Sequence, residues 1–219
     1  MGLVANRLLL VGLIVVAGYL AWQHQSKLFE NKGRLAVQVR GKTAFMVWNH
    51  DIKLPMARRI TEAYERDGSQ VTRFILVLDS PGGALHEGGE VIEVLQKIKT
   101  THQLHTFVGP NSNCLSMCVP IYLQGQKRLA APESRWMFHE PISVDPHTGE
   151  QVKQLEFEAN FYARRFFERY FTNSEMAPAW RKQLERDWKG KEIWKTGQQL
   201  FDEGANIITQ LVQPKQLTL

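Results

Sequence analysis

With 219 residues, 43% of them hydrophobic and 22% charged, the chain has room for one domain plus a membrane anchor and carries no low-complexity tract. A net charge of +5 and a pI near 9.2 would suit anionic partners. The lysines and arginines are scattered among acids and no nucleic-acid motif is present, so the basic excess reads as solvated surface and nucleic acid drops out as a partner.

The N-terminus is the first informative segment. Between Arg7 and Lys27 no residue is formally charged, and Leu8 to Trp22 is almost wholly apolar. A helix over residues 8–26 would span about 28 Å, close to the hydrocarbon thickness of a bilayer. Tyr19 and Trp22 sit at one end, where amphipathic aromatics favour the interface. A cleavable signal peptide is the competing reading, with a tolerable small-residue site at Val15-Val16-Ala17. The apolar run continues through Tyr19, Leu20 and Trp22, which favours a retained anchor. A buried core helix would be amphipathic, and this stretch is apolar all round. The expected organisation is an anchor at 1–26, a polar linker at 27–34 and a domain at 35–219. Lys27, Lys32 and Arg34 would hold the domain in the cytoplasm by the positive-inside count. The short, positively charged tail and the ability of large domains to cross regardless of charge argue for export, and an extracytoplasmic (periplasmic) domain is the expectation.

In chain order, Leu35 to Val39 and Thr43 to Trp48 read as a hairpin around Gly41-Lys42. Pro55 to Arg66 has helical spacing. Phe74 to Leu78 is a continuous apolar run, the mark of a strand buried on both faces, and it leads into Asp79-Ser80-Pro81-Gly82-Gly83. A helix follows at Glu87 to Ile98, a strand at His105 to Val108, a Gly-Pro-Asn-Ser-Asn turn, and a helix at Ser116 to Leu123. Strands at Arg128 to Ala131 and Arg135 to Phe138 precede a polar loop over 142–150. The rest reads as helices at Glu150 to Tyr170, Ala177 to Arg186 and Thr196 to Glu203, then a strand at Ile207 to Val212. Strands alternating with helices predict an α/β domain with a parallel, helix-covered sheet.

Four places carry potential chemistry. Pro120 prevents regular helix from extending comfortably back through Ser116, which places the serine at the mouth of a helix beside free backbone N–H groups. That position suits a nucleophile and part of an oxyanion hole, and equally a plain N-cap. Gly82-Gly83 after a buried strand could present an N–H to a substrate carbonyl, or be only a tight turn. His139, at the end of an apolar strand and before Pro141, could be a base or a buried, hydrogen-bonded imidazole. Asp187, taken alone, reads as a surface charge.

Taken together, these segments resemble the ClpP peptidase family and its membrane-associated relatives. Asp79-Ser80-Pro81-Gly82-Gly83 is similar to that family's strand and S-P-G-G loop, and Leu115-Ser116-Met117 to the segment holding its nucleophile. Arg135-Trp136-Met137-Phe138-His139-Glu140-Pro141 resembles the segment with its histidine. Glu185-Arg186-Asp187-Trp188, with the helix ending at Glu203-Gly204-Ala205, resembles the segment with its aspartate. The likeness covers roughly residues 35–212. It implies a ClpP/crotonase-like stack of ββα units and a catalytic triad of Ser116, His139 and Asp187. It also implies an oxyanion hole from the Gly83 and Met117 N–H groups, and extended peptide bound beside Ala84 to His86. By that resemblance the activity would be serine endopeptidase hydrolysis without cofactor or metal. Assembly would be as a homo-oligomer through the aromatic helix at Glu150 to Tyr170 (Phe157, Phe161, Phe166, Phe167).

The sequence departs from that family in two ways. The anchor is absent from soluble ClpP, which counts against an ATPase unfoldase partner. Cys114 and Cys118 bracket the serine in a Cys-x-Ser-x-Cys arrangement similar to that of exported ClpP-like proteins. They could form a disulfide in an oxidising compartment or remain free, packed thiols. Two other functions compete: a catalytically silent ClpP-like binding or scaffold module, and a crotonase-like acyl-CoA enzyme that would not need Ser116. The uncharged 8–26 stretch predicts that the protein fractionates with membranes. Protease added outside the inner membrane of spheroplasts should digest the domain, and its protection would overturn the exported assignment.

Overall fold

The computed structural model describes residues 35–145, 148, 150–152 and 155–212. The anchor expected at 1–26 and the linker at 27–34 lie outside the described residues. Among the described residues no helix is long and apolar enough to cross a membrane.

Among the described residues, nine strands, six α-helices and one π-helical turn build two sheets and the helices against them. β1 (Ala36–Arg40) and β2 (Thr43–Trp48) form the expected antiparallel hairpin, closing at Arg40 opposite Thr43. α1 (Met56–Asp67) buries Met56, Ile60 and Ala63, the i, i+4, i+7 stripe of an amphipathic helix. β3 (Arg73–Leu78) lies parallel between β2 and β4 (Gln103–Val108), with α2 (Leu85–Lys99) as the crossover. Then follow β5 (Asn113–Leu115), α3 (Cys118–Tyr122), β6 (Lys127–Ala130) and β7 (Arg135–Phe138). α4 (Glu156–Phe167) runs into a π-helical turn at Glu168–Thr172. α5 (Pro178–Asp187), β8 (Ile193–Thr196), α6 (Gly197–Asp202) and β9 (Gln210–Leu211) complete the chain.

The larger sheet has the order β1-β2-β3-β4-β6-β9, parallel except for the β1–β2 hairpin. The smaller has the order β5-β7-β8. In β4–β5–α3 and again in β6–β7–α4 the first strand joins the large sheet, the second the small sheet, and a helix follows. The two sheets meet where β3 ends, because Ser80 bridges in parallel to Cys114 of β5. That junction is where the glycine turn and Ser116 come together.

The apolar runs are buried on both faces of the large sheet, as a helix-flanked parallel sheet requires. Trp48, Phe74, Leu76 and Leu78 join the main core, while Phe45, Val47, Ile75 and Val77 form a second cluster. Arg128, on β6, is almost wholly buried. Its guanidinium donates to the carbonyls of Gly125, Asn206 and Ile207 and to Glu175, tying the C-terminal segment to the sheet.

Several expectations are corrected. β5 begins on the last residue of the expected turn and runs up to Ser116, and β8 falls where no element is expected; at three and four residues neither shows a usable period. The aromatic helix begins at Glu156 rather than Glu150, because Val144 pairs back onto Gln151. The last strand is only Gln210–Leu211, since Ile207 and Ile208 are buried outside any strand. Residues 84–86 are not a strand: Ala84 caps α2, which starts at Leu85, and the strand-like pairing falls one step earlier, between Ile52 and Gly83.

Candidate active site

Ser116 does not lie within a helix. It stands between β5 and α3 with φ +53°, in the left-handed region that a non-glycine residue enters at a cost of about 1–3 kcal/mol. The surroundings impose that conformation. The Leu115 N–H donates to Ser80 O at 3.1 Å, and the Ser116 N–H to Met137 O of β7 at 2.8 Å. The Val119 N–H donates to Ser116 O at 3.0 Å, so α3 starts immediately beyond the turn. Cys114 and Cys118 are joined by a disulfide that spans the turn, and both are fully buried.

The glycine loop is packed against this turn. A Cβ at position 82 would stand 2.7 Å from both Leu115 O and Ser116 Cβ, so only glycine allows the approach. At position 83 a Cβ would overlap the Ile52 backbone, and φ there is +148°. Ile52 holds the loop on both sides: its N–H donates to Gly82 O at 2.7 Å and its carbonyl accepts from the Ala84 N–H at 2.7 Å. Among the described residues the Gly83 and Met117 N–H groups have no backbone acceptor, leaving both free for an oxygen ligand.

His139 follows β7 directly and is half-buried. Its Nε2 lies 2.7 Å from Ser116 Oγ, so a ring with neutral Nε2 can accept the serine proton. Burial pushes the imidazole pKa below its ordinary value of 6.5. The charge of Glu192 and a hydrogen bond with the Glu140 backbone act in the opposite direction.

The structure does not bring Asp187 to this pair. Asp187 is exposed as the last residue of α5, and among the described residues it makes no hydrogen bond or ion pair with His139. The cause is local. Trp188, 2% exposed, anchors the end of α5 in the core, and the chain then loops through Lys189-Gly190-Lys191. The Gly190 N–H donates to the Glu140 carboxylate at 2.8 Å, which fastens that loop to the end of β7. The chain returns at β8, where Ile193 pairs with Phe138. One step beyond that pair stands Glu192, whose charge raises the His139 pKa. It accepts from Trp194 Nε1 at 2.9 Å. Sequence reasoning missed Glu192 because β8 was missed. The available signal is indirect: Ile193 to Thr196 runs into the Thr196–Gln199 capping box and has an acid on its N-terminal flank.

Serine, imidazole, a carboxylate carrying the only charge that raises the imidazole pKa, and two free N–H groups at one turn can perform acyl transfer. No group of three or more His, Cys, Asp or Glu among the described residues is placed to hold a metal.

No curated protein matches the chain. Among solved structures, a ClpP1 mutant from Listeria monocytogenes superposes with a TM-score of 0.59 at 16% identity, covering 80% of this chain and 94% of that one. Identity that low carries the fold alone, a mixed α/β fold similar to ClpP. The Clp protease family model matches residues 46–188, a span that includes Ser116, His139 and Asp187 and stops short of Glu192. That match covers well over half of the sequence, and the chain belongs to the Clp protease family.

Proposed function

We propose that this chain is a membrane-anchored serine endopeptidase in which Ser116 is the nucleophile, His139 the general base and Glu192, in place of Asp187, the residue that steadies the imidazolium. The observation that carries the reading is the 2.7 Å contact between His139 Nε2 and Ser116 Oγ at a left-handed turn. In the forward step Ser116 Oγ attacks the scissile carbonyl as its proton passes to Nε2, and the Gly83 and Met117 N–H groups receive the developing oxyanion. Nε2 then protonates the leaving amine, and water repeats the sequence on the acyl-enzyme. An acyl-CoA enzyme using only the oxyanion hole would have no need of the serine–imidazole contact.

Glu192 is exposed, so water screens its charge and its support of the imidazolium is weaker than that of a buried aspartate. The same proposal places the domain outside the cytoplasm behind residues 8–26. The Cys114–Cys118 bond supports this, since such bridges persist in oxidising compartments. It also makes the protein a homo-oligomer acting on peptide or protein. Phe166 and Phe167 are spent on the monomer core, whereas Phe157, Phe161 and Tyr162 on α4 are at least half exposed.

Three outcomes follow. A fluorophosphonate probe should label the wild-type protein and not Ser116→Ala. His139→Ala should slow labelling by about 1,000-fold or more. Glu192→Gln should slow it roughly tenfold and Asp187→Asn less than about twofold, as befits an exposed charge at the ring and one away from it. A wild-type protein that stays unlabelled when assembled would end the peptidase reading.

Because reactivity needs the neutral ring, and burial lowers the proton affinity of that ring, labelling should rise with pH through a midpoint below 6.5. Removing the opposing charge in Glu192→Gln should move that midpoint lower still. A midpoint at about 7 or higher would contradict the placement of His139. Light scattering on protein lacking residues 1–26 should give a multimer at micromolar concentration, and a monomeric mass would refute the assembly.

A further inference from the structure

A cavity of about 780 Å³ opens between the start of α2, the segment after His139, and α4 with its π turn. Its rim begins at Leu85 and His86, two and three residues past Gly83, and at Pro141, two past His139. At 3.3–3.6 Å per residue at most, those rim positions lie within about 7–11 Å of the glycine loop and the base. That is within reach of a side chain flanking a scissile bond held at Ser116.

The lining combines apolar and cationic groups. Leu85, Ile142 and Phe166 supply hydrocarbon wall, and Arg165 and Arg169 supply guanidinium groups. Arg165 stacks on Phe161 at 5.6 Å and Arg169 on Tyr170 at 5.4 Å, which limits their rotamers without using their donors on an acid. Among the described residues neither guanidinium has a carboxylate within ion-pairing distance. The one acid in the lining, Glu168, is engaged at 2.8 Å by Arg164, which is not part of the lining. Glu93 on α2, outside the lining, acts on Tyr170.

Position matters as much as charge. A Cβ on Gly89 of α2 would stand 3.4 Å from the Tyr170 hydroxyl and 3.6 Å from Arg169 Nη2, so these two donors lie directly over α2. Burial raises the Tyr170 pKa, more than the charge of Arg169 lowers it, and the hydroxyl stays a donor at neutral pH. The π turn at Glu168–Thr172 is what carries Arg169 and Tyr170, and such insertions re-aim the side chains they bear.

We infer that this cavity is a specificity subsite for a carboxylate on the peptide, with Arg165 and Arg169 as its recognising groups and the apolar wall taking the methylene stem. The inference rests on the peptidase reading for its setting, and it names the substrate class of that site: peptides with Glu or Asp next to the scissile bond. A free C-terminal carboxylate has the same chemistry, and the test separates the two.

The experiment uses the full-length protein in detergent. Binding of fluorescent peptides to the Ser116→Ala variant is measured by anisotropy, which needs no turnover, and fluorophosphonate labelling of the wild type is scored in parallel. Peptides with internal Glu should bind about tenfold more tightly than their Gln counterparts, the size expected of a partly hydrated charge-assisted contact. Amidating the peptide C-terminus should leave that ratio unchanged. Arg165→Gln and Arg169→Gln, made in the Ser116→Ala background, should each compress it, and the double variant should bring it to about one; Lys99→Gln, at the far end of α2 and outside the lining, should not. Equal binding of Glu and Gln peptides, with Ser116 labelled in the wild type, overturns the subsite and leaves the peptidase standing. Selectivity that vanishes on amidation assigns the cavity to a chain terminus and overturns the side-chain assignment. Absent labelling with selective binding sinks the peptidase and keeps the carboxylate site.

Discussion

The left-handed turn at Ser116 is the constraint around which the rest of this structure is arranged. A serine in that conformation is uphill by about 1–3 kcal/mol, so its neighbours have to over-determine it. They do so from three directions. β7 takes the Ser116 N–H through Met137 O, the end of β3 takes the Leu115 N–H through Ser80 O, and the disulfide spans the turn. The first two come from distant parts of the sequence, one from each sheet, so the turn depends on both sheets, whereas the disulfide closes it locally between residues four apart. The same turn holds Oγ 2.7 Å from His139 Nε2 and, among the described residues, leaves the following N–H, that of Met117, without a backbone acceptor. Strain and the free donor are two results of one geometry.

The glycine loop follows from it. With the serine turn fixed, the loop can lie close enough to present the Gly83 N–H only where side chains are missing. Position 82 is occupied to within 2.7 Å by Leu115 O and Ser116 Cβ, and position 83 by the backbone of Ile52. Two consecutive glycines are therefore a steric demand here, quite apart from flexibility. Asp79 reinforces the arrangement by accepting the Asn113 N–H at 2.8 Å, which pins the start of β5 to the end of β3.

How much of this was legible in the sequence depends on the length of the signal. The FILVL run, the Gly-Gly turn, and the strand ending at His139 were readable because each joins several residues of one character to an abrupt change. Ser116 was readable as a residue at the mouth of a helix because Pro120 limits the helix behind it. Its left-handed backbone was not, since the hydrogen bonds that impose it come from Ser80 and Met137, far away in sequence. The proposed partner of His139 was hidden from the sequence for a related reason. Glu-Arg-Asp at 185–187 has the look of the expected motif, but which acid meets the imidazole is decided by strand register. That register lives in β8, four residues long and silent in any periodicity.

The contrast between Asp187 and Glu192 also shows how the site balances two opposing demands on His139. Burial against the end of β7 drives the ring toward its neutral, proton-accepting form, which a base needs before reaction. In the proposed reaction the ring would become an imidazolium, and the same burial would then oppose it. A carboxylate one step beyond the Phe138–Ile193 pair relieves that opposition without a buried charge, because Glu192 keeps contact with water and with Trp194 Nε1. A buried aspartate would stabilise the imidazolium more but would also raise the resting pKa of the ring. The exposed glutamate gives a weaker counter-charge and a ring that stays neutral to lower pH. The position of one acid on a short strand thus sets both the acid limb of reactivity and the depth of imidazolium stabilisation. Those two quantities must change together when Glu192 is altered and stay fixed when Asp187 is.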